Sequence, residues 1–202
     1  MKKVIMLLVL LPFLTAMTCD NDYDPENAPI SKIFKVSVSP ESTFTLQDTI
    51  WVEGIATSRF FDATTNDSIS TTDKKVQSRL NIYKFVQPNP YLTAEGAVNK
   101  FKIISITGDF ESMSYCKNSN LQIFGELVPD AQYFSYKIGF KPLQTGDYII
   151  DAFDGIMANT NRHTEIAEDY PLYNHPDLIL LDCSGAIGLK PASARAYFFK
   201  VR

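Results

Sequence analysis

Hydrophobic and polar positions alternate with a period of two along most of this chain. The pattern is clearest from Tyr133 to Phe140, where Phe134, Tyr136, Ile138 and Phe140 alternate with Ser135, Lys137 and Gly139. That period puts one set of side chains on a buried face and the other in water, so it predicts a β-strand. Ile33–Val38 and Leu80–Phe85 alternate in the same way, and Phe101–Ile106, Leu121–Leu127, Asp147–Phe153 and Ala196–Val201 also read as strands. Thr43–Ile55 is rich in β-branched residues, with Ile50 and Val52 on one face and Trp51 on the other, and predicts a further strand. Pro40, Gln87-Pro88-Asn89-Pro90, Thr107-Gly108-Asp109 and Gln144-Thr145-Gly146 separate these segments as turns. Thr57–Asp73 is a polar stretch that holds Phe60 and Phe61 and reads as a long loop or a ragged hairpin, and Tyr91–Lys100 has room for one short helical turn. From 154 to 193 the alternation is lost around a short apolar run, Leu178–Leu181, so an irregular insertion is expected before the last strand. Seven or eight short strands with turns between them predict an all-β fold, an antiparallel β-sandwich.

The first residues follow a different pattern. Lys2 and Lys3 precede an apolar run, Val4–Leu14, broken only by Pro12; Thr15, Ala16 and Thr18 follow, and then Cys19. A positive start, an apolar middle and small residues at the end make a secretory signal peptide. The run is shorter than the roughly 20 residues that span a bilayer. An ordinary signal cut near Ala16 is one reading. With a cysteine at the cleavage point, the stretch resembles the signal of a Bacteroidetes-type outer-membrane lipoprotein. That resemblance implies removal of residues 1–18, acylation of Cys19 and a location at the outer membrane of the cell envelope, exposed at the surface. Buried acyl chains contribute about 0.8 kcal/mol per CH₂, so several together hold a protein firmly.

Residues 19–31 carry Asp20, Asp22, Asp24 and Glu26 with Pro25 and Pro29 and almost no aliphatics, which predicts a solvated tether. The acidic stretch resembles the surface-export signal of the same lipoproteins. It also mimics the start of a calcium loop, but Pro25 stands where that loop needs glycine. Residues 32–202 then form a single domain, long enough to bury about 70% of its unfolded surface.

Charge and cysteines narrow the picture. The chain has 202 residues with 19 basic and 23 acidic side chains. Loss of Lys2 and Lys3 with the leader leaves 17 basic, a net charge of −6. This is not the basic footprint of a nucleic-acid binder, and net charge gives no attraction to an anionic membrane. With Cys19 acylated, Cys116 and Cys183 remain as a pair in an oxidising compartment, and a disulfide is the economical reading. It would close a loop of about 68 residues and contribute about 4 kcal/mol.

Leu143, Gly146, Asp147 and Tyr148 resemble the tyrosine corner of immunoglobulin-like domains. In that corner a tyrosine early in a late strand bonds back to the chain while its ring enters the core. The resemblance implies an immunoglobulin-like β-sandwich, with Tyr148 as the corner. Ile150 stands where an antibody domain has its second core cysteine, so only the architecture carries over.

The search for chemistry yields no catalytic residue, metal site or cofactor. No Gly-x-Ser-x-Gly elbow occurs. Cys183 could take His163 or His175 as a base, but an oxidised cysteine cannot attack. His163, Glu165, Glu168, Asp169 and His175 are metal-ligand types without His-Glu-x-x-His spacing. Asp151 and Asp154 could pass for a carboxylate pair, although Asp154-Gly155 reads as a turn. Phe60, Phe61 and Tyr91 lie in loop-like contexts where aromatic faces could stack on a glycan, as do Tyr170 and Tyr173. Asp67-Ser68-Ile69 and Asp48-Thr49-Ile50 resemble the O-glycosylation acceptor of exported proteins of the same bacterial group, with Ser68 the better placed. The expectation is a non-enzymatic envelope lipoprotein that presents its β-sandwich as a binding or structural module. Its partners would be the membrane through its lipid, and a glycan or another envelope protein. Two alternatives stand beside it: a glycan-binding accessory lipoprotein, and a hydrolase with its site in the 154–193 insertion.

Overall fold

The computed structural model describes residues 30–62, 66–70, 75–89, 92–114, 116–128, 130, 132–159, 162–170, 177–183 and 185–202. The leader, Cys19, most of the tether, Tyr91, Tyr173 and His175 lie outside the described residues. Among those described, no helix is long and apolar enough to cross a membrane.

The described strands are β1 (Ile30–Ser31), β2 (Phe34–Val38), β3 (Thr43–Phe44), β4 (Ile50–Thr57), β5 (Arg59–Asp62), β6 (Asp67–Ser70), β7 (Val76–Asn89), β8 (Leu92–Gly96), β9 (Phe101–Thr107), β10 (Asp109–Ser112), β11 (Asn120–Val128), β12 (Tyr133–Pro142), β13 (Gly146–Ala152), β14 (Gly155–Met157), β15 (Leu178–Asp182), β16 (Gly185–Leu189) and β17 (Ala196–Val201). Two short 3₁₀ segments, Val98–Lys100 and Thr164–Asp169, interrupt them. The first falls in the Tyr91–Lys100 stretch where one turn was expected.

The main ladder runs β14-β2-β4-β12-β11-β7-β13-β17-β3. Strand β11 bends it: Asn120–Gly125 pair with β7, and Glu126–Val128 pair with β12. The bend needs a residue without a side chain at Gly125, where a Cβ would come within 3.0 Å of the Phe34 ring and 3.2 Å of Phe134 Cβ. The β2–β4–β12 part of the ladder therefore faces the β7–β13–β17 part across a shared core. Phe101 bridges them, its ring 6.2 Å from Phe140 on one side and 5.0 Å from Tyr148 on the other.

The outer face of the central strands is also covered. In β7, Leu80 and Ile82 enter the shared core, while Tyr83 and Phe85 enter a second cluster. In β13, Tyr148 and Ile150 point one way and Ile149 the other. In β17, Tyr197, Phe199 and Val201 oppose Ala196 and Phe198. Ile166, Ala167, Leu178, Leu180 and Leu189 close the second cluster, all from the 154–193 segment. Tyr170 stacks on Phe85 with ring centroids 4.3 Å apart. Strands buried on both faces read as nearly continuous apolar runs, and β13 and β17 do so.

Three expectations are corrected here. The all-β class stands, but the ladder is mixed: β1/β7, β14/β2, β15/β8 and β17/β3 are parallel. Strands number 17 among the described residues, because the polar Thr57–Asp73 stretch forms the β5–β6 hairpin and the insertion contributes three more. The described parts of the 154–193 segment, expected to be irregular, form β14–β16 and a 3₁₀ segment and share the second core cluster with β7, β13 and β17.

Cys116 and Cys183 are joined as a disulfide, Cα to Cα 5.3 Å. It ties the β15–β16 turn of the cover to the turn entering β11. A second lock lies near the C-terminus, where Tyr170 Oη donates to Asp147 Oδ2 (2.7 Å) and Arg202 pairs with Asp147 Oδ1 (2.7 Å).

If the cover contributes a true core, Phe198→Ala should destabilise the fold by about 3–5 kcal/mol, as for other buried phenylalanines. Urea unfolding measures this. A loss below about 1 kcal/mol would mean that the cover is loosely held.

Candidate functional site

Charged and aromatic side chains converge where β13 turns into β14. Asp151 lies near the end of β13, opposite Asn81 of β7 and Ala196 of β17. That position inside the doubly covered sheet leaves it 2% exposed. Arg195 Nε lies 2.8 Å from its Oδ1, and Asn81 Nδ2 donates to its Oδ2 at 3.3 Å. Desolvation nevertheless dominates and pushes the carboxyl up to about 6, against the pull of Arg195, Asn81 and Arg79.

Phe153, two residues on, lies between two guanidinium groups. Arg79 Cζ is 3.9 Å from its ring centroid and Arg195 Cζ 5.1 Å. Such contacts contribute about 0.5–1 kcal/mol each at exposed sites and more where desolvated. The Phe153 amide donates to the Arg79 carbonyl (3.0 Å) and the Ala152 amide to the Arg195 carbonyl (2.8 Å), which fixes the three segments together. Arg79 also approaches Asp154 at 3.8 Å, with both side chains about one-third exposed, so that pair adds little.

Beside this stack is an open recess of about 340 Å³ lined by Lys32, Ile33, Phe153, Asp154, Gly155 and Ile156. Ile33, Phe153 and Ile156 give it apolar walls, with one cation, Lys32, and one anion, Asp154. Asp151 Oδ2 accepts from Asn81, whereas Oδ1 faces Arg195 as an ion pair without a hydrogen bond, and the nearby Asp154 charge adds to the upward push on Asp151.

The other candidates are placed as follows. His163 sits at the start of the second 3₁₀ segment with φ 52°, buried, its Nε2 3.1 Å from the Pro40 carbonyl and its ring edge-on to Tyr197. It is a strut between the cover and the β2–β3 turn. Asp169 pairs with Lys200 (3.0 Å). Among the described residues no group of three or more metal-donor side chains is brought together. Phe60 is half-buried on β5 with the Lys32 ammonium 4.7 Å over its ring, and Lys32 donates to the Arg59 carbonyl. The Phe61 side chain and Tyr91 lie outside the described residues. Ser68 is exposed on β6. Tyr148 Oη donates to the Gln144 carbonyl at 2.9 Å, the bond back to the chain expected of it. A second recess, about 370 Å³ at the β9–β10 corner, includes Lys75, Asp109, Glu111 and Glu126. The corner itself depends on Gly108, whose φ of +75° and 2.5 Å approach to the Phe124 carbonyl oxygen leave no room for a Cβ.

Sequence reasoning missed Arg79, Phe153 and Arg195. Its one signal was Asp151 itself, a charge inside the apolar run Tyr148–Ala152, since a buried carboxylate calls for a partner.

No family model matches the chain, and no curated protein does. Among solved structures, the chain is similar to a cohesin module from a Clostridium perfringens family 33 glycoside hydrolase, at 7% identity and TM-score 0.33, over 85% of this chain and 98% of that one. A likeness of that grade carries no argument.

The raised carboxyl of Asp151 has a definite sign. Its contribution to stability is full below the ordinary aspartate value near 4 and is lost as pH rises through about 6. Asp151→Asn should therefore gain on the wild type across that window, by an amount on the order of 2–3 kcal/mol. Chemical denaturation at several pH values measures the difference; a constant gap from pH 4 to 7 would refute the shift.

Proposed function

We propose that this chain is a non-catalytic lipoprotein of the bacterial cell envelope. Acylated Cys19 would hold it at the outer membrane, and an immunoglobulin-like β-sandwich would act as its binding or structural module. The observation that carries the reading is the Cys116–Cys183 disulfide. Such bonds persist in oxidising compartments, which is where the leader ahead of Cys19 would deliver the chain. The pairing also leaves Cys19 as the odd cysteine, available for the lipid.

Other features lend support. The Tyr148 hydroxyl bond to Gln144 has the form of a tyrosine corner, which favours the immunoglobulin-like architecture. Asp147, Asp151 and His163 are committed to internal contacts, which favours a module that binds over one that catalyses. A glycan platform on Phe60 gains nothing from the Lys32 ammonium covering one face of its ring.

Replacing Cys19 tests the anchor. In the wild type, mass spectrometry should find an acylated N-terminal cysteine, and the protein should pellet with membranes. Cys19→Ala should lose the acyl mass and resist extraction only as far as an uncleaved leader holds it. A wild-type chain with an unmodified Cys19 would end the proposal.

A further inference from the structure

We infer that the outward face of β14, β2 and β4 around Lys35 rests on the bilayer to which the chain is anchored; this deepens the lipoprotein reading and depends on it. The three strands are adjacent in the ladder, and Ile156, Lys35 and Ile55 are cross-strand partners in one row. Cross-strand partners share a face, and Phe34 and Val36 on either side of Lys35 point into the core. Ile33, two residues before Lys35, forms the lip of the recess together with Ile156. Ile33 is 71% exposed, Ile156 52% and Ile55 51%. Three isoleucines thus surround one exposed lysine, with Lys32 at the edge.

The place where the chain enters the domain identifies the occupant. Ile30 begins β1, three residues before Ile33, and Cys19 lies 11 residues before Ile30. Even fully extended, that tether spans at most about 40 Å. The acyl chains are therefore held within about 40 Å of the point where the chain enters the domain, next to Ile33, and tethering turns a weak contact into a local one with a high effective concentration. The chemistry fits: isoleucines enter the headgroup–acyl boundary while the Lys35 ammonium remains at the phosphates. The neighbouring acids are already attended, Asp154 by Arg79 at 3.8 Å and Glu53 by Lys137 at 2.6 Å. The acidic net charge supplies no long-range attraction, so the contact needs the anchor.

The test uses the full acylated protein in vesicles of phosphatidylethanolamine with a minor share of phosphatidylglycerol. An environment-sensitive fluorophore is placed on Ile156→Cys, and on Ser112→Cys of β10 as a control. The label at 156 should shift to the blue and be quenched by spin-labelled lipid several-fold more than the label at 112. Adding Ile33→Asp should remove most of that quenching. A label at 156 that stays in water on an acylated, vesicle-bound chain overturns this inference alone. A label that is shielded but not quenched by lipid means that protein covers the face, either the acidic tether or a second copy, and also overturns it. An unmodified Cys19 overturns both the inference and the lipoprotein reading.

Discussion

The structure depends on burying β7, β13 and β17 on both faces at once. A strand in that position has no side for polar residues, and the run from Tyr148 to Ile150 and the run from Tyr197 to Phe199 accordingly bury every side chain. At about 1.5–3 kcal/mol per large apolar side chain, both layers of contacts matter to a fold of this size. One layer is the rest of the ladder, curled round through β11. The other must be supplied by something, and residues 154–193 supply it. The disulfide and the Tyr170–Asp147–Arg202 group then act as clips, since each joins the cover to the sheet it protects.

That constraint also explains the charges. A carboxylate within a doubly covered sheet loses its water, and it is tolerated only where partners reach it. Both buried aspartates lie towards the ends of β13. Asp147 meets Arg202 and Tyr170 there, and Asp151 meets Arg195 and Asn81. The two still differ: Asp151 is held above its ordinary range because desolvation outweighs the help it receives. The Arg79–Phe153–Arg195 stack follows from the same geometry. The guanidinium that serves Asp151 lies across the first aromatic ring beyond the covered region.

Legibility in the sequence tracked how each face is buried. β2 and β12 bury one face, so Phe34, Val36 and Val38, and Phe134, Tyr136, Ile138 and Phe140, announced themselves by alternation. The bond from Tyr148 to the Gln144 carbonyl was legible because donor and acceptor lie four residues apart. The cover was not. Ile166, Ala167, Leu178 and Leu189 are each placed by the sheet they touch, so their spacing carries no period of its own. The parallel pairings were hidden for a similar reason: β1, β3 and β14 are two or three residues long, too short to show any pattern. Arg79 and Arg195 meet at Phe153 only because β13 passes between the strands that bring them there. Local spacing cannot express that meeting.

Covering one side of the ladder makes the molecule two-sided. The cover occupies the outer face of the β7–β13–β17 part, and β4 on the other part alternates buried and open positions, so its outer face meets solvent. That outer face need only be soluble, and most of it is: Glu53, Lys137 and Ser135 lie along it. Three exposed isoleucines, Ile33, Ile55 and Ile156, gather at its β14 end, beside the point where the chain enters the domain, while Ile106 stands apart on β9. An apolar patch scattered over a surface calls for no explanation, whereas one gathered where a tether begins does. Phe153 and Asp154 lie just before the short β14, so the recess, the cation stack and the exposed Ile156 share a single structural origin: the abrupt turn by which β13 leaves the covered sheet.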